Sequence, residues 1–174
     1  MMSRVLKATT LLLGTGLLVA SPSLAAGDKD LGVFKKWQAH SYTEGGGKVC
    51  NMWSRPTKHE EGGRARGEIF AFITHRPNDS RYHEVSLGMG YPLKKDSRVK
   101  VKIGGKNFEF FTHGSVAYAF KKDDKAIVKA MRGGNTMVVS GVSQRGTKTK
   151  DTYSLSGFSK ANNAVNNACN VKKP

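Results

Sequence analysis

A chain of 174 residues, 38% of them hydrophobic, is long enough to bury a sizeable core. No internal repeat or Pro/Ser-rich linker marks a second domain. Its 29 lysines and arginines outnumber 13 aspartates and glutamates, giving a formal net charge of +16 that points to anionic partners and says little about the fold.

The first 25 residues read as a secretory signal peptide. Arg4 and Lys7 precede the uncharged run "ATTLLLGTGLLVASPSLAA", which ends in the small residues Ser23, Ala25 and Ala26. A transmembrane helix needs about 20 strongly apolar residues, whereas this run is broken by glycine, threonine and Pro22, and no later segment approaches a span. Cleavage after Ala25 is expected to leave a single exported domain, residues 26–174, in the periplasm or at the outer membrane or cell surface. Its charge is +14 once Arg4 and Lys7 are removed from the formal +16. No cysteine follows the cleavage site to carry a lipid anchor. Cys50 and Cys169 lie in a compartment that permits oxidation, and a disulfide between them is expected. Closing so long a loop would stabilise the domain by roughly 4 kcal/mol in the chain-entropy description.

Beyond the early strand region around Cys50, the predicted strands follow in chain order: "GEIFAFITH", "HEVSLGMGY", the hairpin "SRVKVKIGGKNFEFF", "GSVAYAF", "NTMVVSGVS" and "DTYSLSGF". The hairpin is the clearest. Val99, Val101 and Ile103 alternate with Arg98, Lys100 and Lys102, and Gly104-Gly105 permits a tight turn before Phe108 and Phe110 resume the period of two. Two segments have helical spacing instead. "DDKAIVKAMRGG" places Ile127, Val128 and Met131 on one side, with Asp123 or Asp124 at its start and Gly133 at its stop. "SKANNAVNNAC" repeats Ala161, Ala164, Val165 and Ala168, with Ser159 as the candidate cap and Cys169 at the end of the apolar side. The pattern predicts an all-β, antiparallel sandwich or barrel-like single domain with two short helices, one at the C-terminus.

These landmarks also carry a resemblance. Trp37, Cys50, "ITHRP" at 73–77, "HEVS" at 83–86, "GYP" at 90–92, the "VKIGGKNFEFFT" hairpin, "KAMRGG", "MVVSGVSQRGTKTKDTYSLSGF" and Cys169 together resemble the invasion-associated locus B family of exported bacterial proteins. The resemblance covers most of the chain from about Phe34 to Cys169, and "SQRGTKTKDTYSLSGF" is its most specific part. It implies a largely β, extracytoplasmic protein, associated in a pathogen with entry into host cells, and no established enzymatic reaction. Tyr118 stands where the family is expected to favour Trp, which keeps the aromatic bulk.

"THRPNDSRYHE" concentrates His75, Arg76, Asp79, His83 and Glu84 in one short stretch. Its two readings are a structural turn, set by Pro77 and closed by Asn78 or Asp79, and a local binding surface. His75 and His83 could approach one another across a hairpin, but their spacing matches no compact zinc pattern and no third ligand is marked. "GVSQRG" is one residue too long for the G-x-S-x-G turn of hydrolases, and "GGGKVC" lacks the spacing and the Ser/Thr of a phosphate loop. We therefore expect no catalytic residues, no cofactor and no metal ligands. An uncharacterised hydrolase is the weakest reading.

Phe108, Phe110, Phe111, Tyr118 and Phe120 could stack on bases beside lysines. Alternation sends Phe108 and Phe110 to the side opposite Phe111, so part of the set is core, and export disfavours nucleic acid. The basic residues Lys94, Lys95, Arg98, Lys100, Lys102, Lys106, Arg145, Lys148 and Lys150 remain as candidates for anionic-surface binding. If their two hairpins share a face, they suit lipopolysaccharide, anionic lipid or a host-cell polyanion; the bland reading is a solvated face that protects strand edges. The expected function is envelope or host-surface interaction. The alternative is a periplasmic structural or stress-related factor whose partner is another periplasmic protein.

Overall fold

A computed structural model describes residues 28–60 and 65–174; the expected signal peptide lies outside them. The elements are β1 (Lys29–Phe34), β2 (Trp37–Glu44), β3 (Gly47–Ser54), β4 (Lys58–Glu60), β5 (Phe70–Arg76), a 3-10 turn (Pro77–Asp79), β6 (Arg81–Gly88), β7 (Arg98–Ile103), β8 (Lys106–His113), β9 (Val116–Ala119), α1 (Asp124–Gly133), β10 (Thr136–Val142), β11 (Lys148–Ser154) and α2 (Phe158–Ala168). All eleven strands join one antiparallel sheet in the order β1-β2-β3-β5-β6-β9-β8-β7-β10-β11-β4. The expected all-β fold with two helices is present. The region expected only as early strands around Cys50 holds four of the strands.

The sheet curls until strands far apart in its hydrogen-bonding order meet. Lys36, just before β2, donates its N–H to Ser156 O beyond β11 at 3.3 Å, and the Trp37 indole N–H donates to Ser154 O at 3.0 Å. Inside the curl, Trp37 meets Phe158 of α2 edge to face at 4.9 Å. Curling gives the strands between the two edges one dry face. On β7, Val99, Val101 and Ile103 are buried while Arg98, Lys100 and Lys102 are exposed. Each of those three burials contributes roughly 1.5–3 kcal/mol, and a slip of one residue would exchange them for the three cations. That difference pins the register.

The helices close the inner side. α1 buries Ile127, Val128 and Met131, as the spacing predicts, and α2 buries Phe158, Ala161 and Val165. α1 starts at Asp124 and stops at Gly133 as expected, whereas the start of α2 differs. Gly157, not Ser159, precedes α2: its φ is +94°, and a Cβ there would fall 1.8 Å from Phe34 O, so only glycine fits. Ser159 lies inside the helix and its hydroxyl donates to Arg132 O. At α1, Asp123 makes no side-chain cap, and the Asp124 carboxylate accepts the Val85 N–H of β6 at 3.1 Å. Because β9 pairs with β6 only along residues 86–88, Asp124 supplies an acceptor where that ladder has ended.

Cys50 of β3 and Cys169, immediately after α2, form a disulfide with Cα atoms 6.1 Å apart. It ties the C-terminal helix to the inner face of the early strands, as the sequence predicted. No helix among the described residues is long and apolar enough to cross a membrane.

Candidate interaction surface

Strand alternation divides the "THRPNDSRYHE" cluster between two environments. Thr74 of β5 pairs with Glu84 of β6 and Arg76 with Arg81, so one residue, His75, opposes two, Tyr82 and His83. This bulge holds His83 at a φ of +60°. His75 and His83 both turn inward and are buried, their rings 4.9 Å apart edge to face. The His83 N–H, freed by the bulge, donates to His75 Nδ1 at 3.0 Å, and His75 Nε2 lies 2.9 Å from Asn166 Oδ1 of α2. Those partners define the neutral tautomer with its proton on Nε2. Burial, reinforced by His83, lowers the His75 pKa to about 4, against the opposing pull of Asn166. With Nδ1 accepting and Nε2 donating, the ring offers a metal no lone pair. His75 is a structural bridge among bulge, strand and helix.

The other half of the cluster points outward. Arg76 pairs with Glu44 at the end of β2 and approaches Glu84 at 4.0 Å, while Arg81 reaches Asp79 at 2.8 Å and Glu84 at 3.5 Å. These groups border a groove of about 650 Å³ between the β2–β3 turn and the 3-10 turn, with Thr74, Ser86 and Tyr118 among its lining residues. The predicted turn at Pro77–Ser80 is there, but the Ser80 N–H, not Asn78 or Asp79, closes it, on Pro77 O at 3.0 Å.

The two predicted basic hairpins are joined through β10. Lys100 of β7 pairs with Ser140 of β10, and Ser140 pairs with Lys150 of β11. Directly opposed residues project to one side of a sheet, so Arg98, Lys100 and Lys102 share a face with Lys148 and Lys150. Carboxylates flank the face on both sides: Glu109 of β8 is the register partner of Lys100, and Glu60 of β4 lies 3.9 Å from Lys150 and 3.5 Å from Lys58. Lys106 pairs with Ile103, which places it on the opposite side of the pleat. Lys94 and Lys95 sit in the β6–β7 connection and Arg145 in the β10–β11 turn; the two segments adjoin through Lys94 N–H to Val142 O and Gln144 N–H to Pro92 O.

The aromatics divide as alternation requires. Phe110 is fully buried and Phe108 packs at the core margin, whereas Phe111 and Tyr118 are 37% and 38% exposed.

Several interior residues were not singled out by the sequence. Arg66 and Asp151 form a buried bidentate pair at 2.7 and 2.9 Å, and Arg66 also donates twice to Met89 O. The pair ties the segment before β5 to β11. Tyr91 lies under the Arg66 guanidinium, 4.8 Å to the ring centroid, and its hydroxyl bonds with Thr149. A hollow of about 330 Å³ opens beside Tyr91, Arg145 and Thr149. "GYP" and "SQRGTKTKD" were recognised as landmarks, but no periodicity announces that Arg66 reaches them. Asp124, expected only as a helix start, is buried as well: burial, with help from Glu84 and Asp123, raises its pKa to about 7 despite the Val85 hydrogen bond.

The fold and surface define a disulfide-tied antiparallel β domain whose exposed strand face gathers charged and aromatic groups. The chain belongs to the Invasion associated locus B (IalB) protein family, whose profile matches residues 37–166. The structure is similar to the crystal structure of invasion associated protein B from Bartonella henselae, at 17% sequence identity and a TM-score of 0.55, covering 79% of this chain and 96% of that one. No curated protein sequence matched.

Proposed function

We propose that this is an exported envelope or surface interaction protein that attaches, through its basic strand face, to an anionic component of the envelope or of a host surface. The observation that carries the proposal is the row Lys100, Ser140, Lys150, which sets the cations of β7 and β11 on one face. A cation near an anionic surface contributes about 1 kcal/mol, and the attraction fades beyond about 10 Å at 0.1 M salt. Several lysines held on one face of β7 and β11, two strands apart across β10, therefore act together on a ligand such as lipopolysaccharide, anionic lipid or a polyanion. Family membership and the signal-peptide pattern support export. The inward His75, with both ring nitrogens bonded, is not free to act as a general base.

The test is binding of the oxidised protein to phosphatidylglycerol vesicles and intact cells at low and high salt. Wild type should bind in a salt-sensitive manner, and a folded Lys100→Glu/Lys102→Glu variant should bind at least about tenfold more weakly. Equal binding by the two proteins would sink the proposal. Protease accessibility on intact cells separates a surface role from strict retention in the periplasm.

A further inference from the structure

One cross-strand row on the outer face carries aromatics where β7 carries only cations. Gln38, Trp53, Phe72, Ser86, Tyr118, Phe111 and Arg98 are successive register partners across seven neighbouring strands. Their chain neighbours Met52, Ile73, Leu87, Ala117 and Phe110 are buried, so the row lies on the side away from the core. Phe111 stacks against Tyr118 at 5.6 Å and lies 5.4 Å from Phe120.

This part of the face is recessed. The groove beside Thr74 and Ser86 shares Arg81, Glu84 and Tyr118 with a second hollow of about 280 Å³ that contains Phe111 and Phe120. Together they make one trough. From Ser86 to Phe111 it crosses two inter-strand steps, about 10 Å at ~4.8 Å each, and Arg98, the register partner of Phe111 on β7, stands one step beyond its lining. The first half offers hydroxyls and ion-paired side chains, and the second offers aromatic rings. At the aromatic end the Arg98 guanidinium is 5.4 Å and the Lys122 ammonium 6.0 Å from the Phe120 centroid, so both cations face a ring.

We infer that this trough binds a glycan chain bearing an acidic substituent, with neutral rings over Ser86, Tyr118 and Phe111 and the acidic group toward Arg98. The inference rests on the basic-face reading and names the chemistry of its ligand. Sugar rings present C–H faces that pack on aromatic side chains and hydroxyls that bond to paired charges such as Arg76–Glu44 and Arg81–Glu84. A lipid surface fits less well, because a flat layer of headgroups does not fill a recessed trough. Single-stranded nucleic acid also fits less well. Its phosphates would pass Glu44, Asp79 and Glu84, whose carboxylates repel them, whereas sugar hydroxyls can donate to the same oxygens.

The experiment compares wild type, Phe111→Ala/Tyr118→Ala, the ring-preserving Phe111→Tyr/Tyr118→Phe, and Lys100→Glu/Lys102→Glu, each shown folded by circular dichroism. The probes are an array of acidic glycans that includes hyaluronan and lipopolysaccharide oligosaccharides, together with N-acetylglucosamine oligomers, oligo-deoxythymidine and phosphatidylglycerol vesicles. Wild type should retain an acidic glycan more tightly than its neutral counterpart or oligo-deoxythymidine. The alanine pair should lose that binding at least tenfold while keeping its vesicle binding, and the ring-preserving pair should retain both. The charge-reversal variant should lose both. Unchanged glycan binding by the alanine pair, preference for oligo-deoxythymidine, or retention of no acidic glycan would overturn the inference. Loss of vesicle binding only in the charge-reversal variant would leave the basic-face reading standing in any of those cases.

Discussion

The two sides of the β5–β6 hairpin contain similar polar residues in opposite circumstances. On the inner side, His75 is buried and bonded to the His83 backbone and to Asn166. One residue along, Arg76 reaches out to Glu44 and Glu84 at the rim of a groove. Polarity alone therefore does not mark a functional site. Inside, a polar atom left without a partner, such as the Tyr153 hydroxyl, costs about 1–3 kcal/mol; outside, water replaces a lost partner and the group is free to meet a ligand.

The sharpest way to test this contrast is the interior pair Arg66–Asp151. Both side chains are almost wholly buried, so Asp151→Ala leaves an uncompensated guanidinium and should cost about 3–5 kcal/mol in urea unfolding. A loss below about 1 kcal/mol would show that the interior tolerates an unpaired charge and would break the comparison. Next comes the hairpin itself. His75→Ala removes an acceptor from the His83 N–H and a partner from Asn166, an expected loss of about 2–3 kcal/mol. Its neighbour Arg76→Ala should cost less than about 1 kcal/mol, as for other solvated ion pairs. Equal losses would mean that the rim charges also hold the fold.

Acidity tests the buried side of the contrast. His75 has a folded pKa lowered to about 4 from 6.5, so the unfolded chain binds more protons between those values. Its contribution is fully present above pH 6.5 and is lost as pH falls toward 4. Asp124 runs the other way. Its folded pKa, raised to about 7 from 3.8, makes the charged carboxylate a burden above pH 7 that is relieved as pH falls through that value toward 3.8. Asp124→Asn keeps an oxygen for the Val85 N–H and removes the charge. Thermal melts should show it stabilised relative to wild type at pH 8, on the order of 1–2 kcal/mol, and little or not at all at pH 4. The same advantage at both values would count against a charged Asp124 in the folded protein.

Much of the architecture was legible locally. β7 and β8 announce themselves because their alternating residues differ sharply in hydrophobicity, and α1 and α2 because three or four apolar side chains repeat at helical spacing. β2 is harder to read. Its inward positions are Trp37, Ala39 and Ser41, and a small and a hydroxylated residue blur the alternation. β1 and β4 lack even that, since both are largely exposed edge strands of the sheet. The "THRPNDSRYHE" segment was visible as a turn, but the bulge that sends both histidines inward depends on which residues of β5 and β6 are paired.

By itself the sequence determined the alternation of β7, the helical spacing of α1 and α2, the pairing of its two cysteines and membership in a family, because each depends on residue identity along short stretches or on a count of two. Only the tertiary structure decided that β10 lies between the two basic strands, that Arg66 meets Asp151, and that an aromatic row crosses seven strands to end at Arg98. Those are contacts between distant segments. They follow from strand order and sheet curvature, which are set by the burial of the whole apolar surface at once.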